Sequence, residues 1–187
     1  MPYGEPDPRP LLGEPLPLDL LNTHWIERGQ LHDLLATVAG VRIWQRSLRI
    51  SPGIILPPAS EGVRRALCRA RHVIQAAAER PSSPQALDAF NELLARGRRD
   101  RILTAAAPLS RVVVDSPEWM VPWLAADKYV ELLLTRPDRI KRCVHPECVL
   151  WYLDTSRSGT RRWCSMSMCG NRAKATRHYQ RRTAPRG

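Results

Sequence analysis

At 187 residues, with 43% apolar side chains and six tryptophans, the chain can bury one good core and carry a small appended module. No apolar run approaches the roughly 20 residues of a membrane span, so a soluble, cytoplasmic protein without a membrane partner is expected. The net charge of +11 is unevenly placed: residues 136–187 hold 13 Arg or Lys against Asp138, Glu147 and Asp154, a balance of +10, which leaves +1 for residues 1–135. A field of one sign confined to a C-terminal segment implies a polyanion partner, nucleic acid being the commonest.

Prolines at 2, 6, 8, 10, 15 and 17 bar regular helix from residues 1–17 and predict an extended lead-in over the surface. Leu18 to Trp25 should be the first packed segment. From His32 to Leu48, Leu34, Leu35, Val38, Val41, Trp44 and Leu48 recur at steps of three or four, predicting an amphipathic helix. Ser60 can cap a second helix that runs to about Arg80, with Val63, Leu67, Ala70 and Ile74 on its inner face. Ser83-Pro84 opens a third, with Leu87, Phe90, Leu93 and Leu94 inward. The period then changes, and Arg101–Thr104 and Arg111–Val114 read as a short hairpin. Trp123 to Thr135 returns to helical spacing and should end before Pro137.

The C-terminal segment carries the chemistry. Cys143-x4-Cys148-x15-Cys164-x4-Cys169 places two close cysteine pairs on either side of a loop, the spacing that lets each pair wrap one side of a tetrahedral Zn2+. Two disulfides would need an oxidising compartment, and the N-terminus has no basic stretch followed by an apolar one that would export the chain. An iron–sulfur cluster usually takes tighter spacings. His145, between the first two cysteines, could substitute as a ligand, but four thiolates already suffice. Cys68 stands apart as a helix cysteine. Val149–Asp154 has strand composition and Ser156–Thr160 turn composition. A helix from about Cys169 to Arg182 follows, giving a knuckle, hairpin and helix similar to a treble clef.

The run Cys164 to Ala175, with Cys169-Gly170-Asn171-Arg172 at its centre, resembles the CGNR zinc-finger family, as do Leu153-Asp154-Thr155-Ser156 and Arg161-Arg162-Trp163-Cys164. The region before it resembles the ABATE domain that accompanies this finger, through Asp19-Leu20-Leu21-Asn22-Thr23 and its helical layout. The resemblance implies zinc on the four cysteines and a regulator of transcription related to stress. The expected fold is mainly α with short β-hairpins: a lead-in over 1–17, an ABATE-like helical domain over 18–136, and a treble-clef-like finger over 137–187.

For function, the leading reading is a DNA-binding regulator. Arg161, Arg162, Arg172, Lys174, Arg177, Arg181 and Arg182 are the candidate nucleic-acid contacts, mostly to phosphate. Asp19, Asn22 and Thr23, polar residues in an apolar segment, are the candidate contacts for a small-molecule effector. The helical domain could equally serve to form a homodimer. An RNA-binding protein, or an adaptor for an acidic protein partner, would use the same positive surface. Single-strand RNA readout normally stacks bases on exposed aromatics, and only Tyr179 lies in the basic helix. A closed four-thiolate shell leaves no open position for water, so an enzyme is not expected.

Overall fold

The computed structural model describes residues 5–51 and 53–175. Helices hold about 48% of the described residues. The strands among the described residues all lie in separate two-stranded antiparallel ribbons, so the core is built by helices rather than by a sheet layer.

Over residues 5–15 the lead-in forms no helix or strand, as its prolines predict, and it is anchored; Leu16 and Pro17, expected to be non-helical, already belong to the first helix. The buried Arg9 guanidinium donates to the Asp7 carboxylate, to the Asp19 carbonyl and carboxylate, and to Ser47 Oγ. Helix α1, Leu16–Leu21, starts with Pro17 in its first turn, where a missing N–H costs nothing. It packs against α3 (Glu61–Glu79), α5 (Met120–Thr135) and strand β6 (Trp151–Leu153). Leu18 and Leu20 are fully buried.

The expected helix over 32–48 is shorter than its periodicity suggested. Residues 24–33 form a hairpin instead, with β1 at His24–Glu27 and β2 at Gln30–Asp33. Arg28 (φ 49°) and Gly29 (φ 79°) both have positive φ, as a two-residue hairpin turn of type I′ requires. Asp33 then caps a 3₁₀ turn at Leu34–Ala36, accepting from Leu35 N. Thr37 caps α2 (Val38–Ser47), its Oγ1 accepting from Gly40 N. Two caps four residues apart divide the apolar stripe, which periodicity alone does not register.

Helix α3 is capped by Ser60 Oγ as expected and buries Val63, Leu67, Ala70 and Ile74. Its Arg71 reaches out of the helix to make two bonds to the Asp33 carboxylate, at 2.6 and 2.8 Å, and one to Thr23 Oγ1. Burial works against the Asp33 charge, but Arg71 and His24 outweigh it and hold the carboxyl well below its ordinary range. Helix α4, Pro84–Leu94, is capped by Ser83 and turns Ala86, Phe90 and Leu93 inward. Leu87, expected inside, is exposed because that stripe lies one step of the helix away.

Strands β3 (Gly97–Leu103) and β4 (Pro108–Val114) pair over seven positions, a longer hairpin than the sequence suggested. Gly97 allows its base to approach α5: a Cβ there would stand 2.8 Å from Val113 O and 2.9 Å from the Trp123 ring. Helix α5 ends with Arg136 and Pro137, as expected. It delivers the chain to β5, Ile140–Arg142, which pairs with β6.

Candidate metal centre and basic surface

The β5–β6 hairpin frames the first cysteine pair. Cys143 N donates to Leu150 O, and Cys148 N to His145 O, which curls the intervening loop into a knuckle. The second pair is set by a π-helical turn at Met166–Gly170, capped by Ser165 Oγ, with the chain continuing helical beyond it. The two pairs meet in the interior. All four Sγ atoms are buried and lie within 4.8 Å of one another, with Cys148 to Cys164 at 3.8 Å and Cys164 to Cys169 at 3.5 Å.

This geometry fits a metal. Thiolates about 2.3 Å from a tetrahedral zinc ion stand roughly 3.8 Å apart. Protons serve the same space poorly: hydrogen bonds from Cys148 and Cys164 pull the Cys143 thiol down, while the bond to Cys143 pushes Cys148 up to about 12 and Cys164 higher still. A dication removes that conflict by taking all four as thiolates. Cys143, Cys148, Cys164 and Cys169 therefore form a Zn2+ site whose ion would hold the knuckle to the helical turn, with its coordination filled by protein sulfur.

The surrounding donors suit a thiolate cluster. Cys164 N donates to Cys143 Sγ at 3.4 Å, and Arg172 Nη2 to Cys169 Sγ at 3.2 Å. Both spread the excess negative charge of four sulfurs on one dication. His145 is not among the ligands. Its Nδ1 accepts from Glu147 N, and its ring meets Trp163 edge-on at 6.4 Å.

Asp154, buried beneath the turn, accepts from Ser156 N and Oγ, Lys141 Nζ and Arg161 N, and these bonds hold its carboxyl well below the usual range. Its side-chain cation is Lys141, across the hairpin.

The structure separates the expected nucleic-acid contacts. The Arg161 guanidinium turns inward, donating to the carbonyls of Trp163 and Cys164 and lying over the Tyr152 ring. The Arg162 guanidinium sits over Trp163 on an exposed residue. Arg172 and Lys174 are exposed, although Arg172 is already used at Cys169. Arg177, Arg181 and Arg182 lie outside the described residues.

Asp19, Asn22 and Thr23, the candidate effector contacts, are brought together in the interior, where each has protein partners. Asp19 accepts from Arg9 and from Trp44 Nε1, and Thr23 Oγ1 bonds Leu20 O and Arg71. The Asn22 amide accepts from Trp151 N at 2.8 Å and donates to Trp151 O at 2.9 Å, the exchange a neighbouring strand would make. Glu14 continues it by accepting from Leu153 N at 2.8 Å. This clasp fastens the finger to α1. Asn22 and Trp151 are 129 residues apart, and no local pattern joins them.

A helical domain clasped to a closed four-thiolate module defines a zinc-finger protein. Residues 14–136 match the ABATE family, described as "Putative stress-induced transcription regulator", and residues 139–182 match the CGNR zinc finger. The chain belongs to the ABATE family, with its CGNR finger C-terminal to the ABATE domain. Neither family is one of enzymes. No curated protein matches the chain. No helix among the described residues is long and apolar enough to cross a membrane.

Proposed function

We propose that the protein is a transcription regulator that binds duplex DNA through its zinc module, using residues 137–187 as the DNA-binding unit, 18–136 as the regulatory unit and 1–17 as a strap between them. The observation that carries this reading is the placement of charge. Nearly the whole net charge, +10 of +11, lies in residues 136–187, and the described part of that segment, up to residue 175, would be held in place by zinc and by the core that it shares with the helices.

Rigidity matters because phosphate contacts fix register only when the charges presenting them are held in place. Arg157, Arg162 and Lys174 are exposed around the module and supply such charges. Arg161, whose donors are turned inward, contributes by orienting the Trp163–Cys164 segment. Arg172 acts mainly on the metal shell.

The test is selection of the zinc-loaded full-length protein against randomised duplex DNA at about 150 mM salt, near physiological ionic strength. An enriched motif is expected, and a two-fold motif would add a homodimer to the reading. Binding without enrichment that vanishes as salt rises would overturn sequence-specific regulation and favour RNA or an acidic protein as the partner.

A further inference from the structure

The β3–β4 hairpin has no role in the metal centre or in the helical core beyond its base. There, Arg99 pairs with Asp127 of α5 at 2.5 Å, and Gly97 lies against Trp123. Beyond that anchor the ribbon leaves the body. Residues 101–103 and 105–111 are all exposed, on both faces, with Leu103 85% and Leu109 55% accessible.

At about 3.4 Å per residue, the four paired positions beyond Arg99 make an arm on the order of 14 Å long. A two-stranded ribbon with nothing on either face is marginally stable in water, so an arm of this length implies a surface that receives it.

Charge decides which surface. The arm carries Arg98, Arg99, Arg101 and Arg111 against Asp100, a balance of +3. Arg98 and Arg111 share Asp100 and remain 67% and 66% accessible, while Arg101 is exposed with no side-chain partner among the described residues. Pairing edge to edge with a second copy would set two such arms about 4.8 Å apart, inside the screening length of about 8 Å, and like charges would oppose it. A polyanion is favoured instead. The major groove of B-form DNA, about 12 Å wide, admits a two-stranded ribbon, whereas the deep, narrow major groove of A-form RNA does not.

We propose that the β3–β4 arm is a second DNA contact, lying in the major groove with Arg98, Arg101 and Arg111 against the flanking phosphates and Ile102 and Leu109 available to thymine methyl groups. The proposal rests on the reading above that the protein binds duplex DNA. It adds a contact from the ABATE domain, outside the zinc finger.

The experiment compares the zinc-loaded full-length protein with Arg101→Gln, with the double variant Arg98→Gln/Arg111→Gln, and with Arg162→Gln as a finger control. The probe is labelled mixed-sequence duplex DNA, titrated at several salt concentrations. Zinc content and far-ultraviolet spectra check folding, and Arg101→Gln, which removes no side-chain hydrogen bond or ion pair among the described residues, carries the test if the double variant unfolds. Weaker binding is expected from the arm variants, with the salt dependence of log K falling by about one unit per lost phosphate contact.

Arm variants that keep wild-type affinity and slope while Arg162→Gln weakens binding would overturn the arm and leave the finger reading standing. A wild-type protein that ignores duplex DNA would overturn both. Arm variants that change the sedimenting species without changing DNA affinity would make the hairpin an interface between copies, which also overturns the proposal.

Discussion

The Arg172 side chain shows how a basic signature residue can be engaged at the metal centre. Its guanidinium donates to the Cys169 sulfur at 3.2 Å, and the bond to that sulfur, first among the influences on it, raises its own pKa. A donor on a metal-bound thiolate lowers the charge the metal must balance, so its loss is felt in metal affinity. Arg172→Gln is expected to lower zinc affinity roughly tenfold to a hundredfold. Competition with a chromophoric chelator measures this. Unchanged zinc affinity combined with weaker DNA binding would return Arg172 to the phosphate-contacting set. The four cysteines were legible because metal spacing is local: each pair spans six residues, and the ligand atoms converge as that spacing requires. The inward turn of Arg161 was not, because it depends on the fold bringing the Tyr152 ring against the guanidinium and turning the Trp163 and Cys164 carbonyls toward it.

At the scale of elements, legibility followed sequence range. The caps at Ser60 and Ser83, and Pro84 at the first helical position, are short-range signals, and both helices begin where those residues stand. The β1–β2 hairpin was missed because Leu34, Leu35 and Val38 keep helical spacing across a boundary that Asp33 and Thr37 set by capping. The clasp between α1 and β6 was also missed. Asn22 read as a polar intrusion in an apolar segment because it serves as the strand partner of a residue far along the chain. Asn22→Ala would strand both the N–H and the carbonyl of Trp151 in the interior. At about 1–3 kcal/mol for each buried polar group left unpaired, the loss should be roughly 2–6 kcal/mol. Urea unfolding of the zinc-loaded protein reads this as a lowered midpoint. A midpoint that did not move would mean that β6 is held by zinc and its own hairpin alone, with the clasp a bystander.

For the whole molecule, the consequence of that clasp is that the finger is not an independent bead on a linker. The buried apolar cluster runs without a break from Leu18 through α3 and α5 to Leu150, Trp151, Tyr152 and the four cysteines. Small fingers depend on their metal for roughly 10–16 kcal/mol of folding free energy, while a whole domain is stable by only about 5–15 kcal/mol. Loss of zinc from a module that shares its core with the helices should therefore reach those helices. Removing zinc by chelation is expected to lower the thermal transition of the entire far-ultraviolet helical signal and to broaden it, with both effects reversed on adding zinc back. Two separate events would contradict this: a finger that loses structure on chelation while the helical transition stays at its zinc-loaded temperature. In a coupled molecule, whatever loosens α1 also loosens β6, because Asn22 and Glu14 join residues 14–22 to that strand.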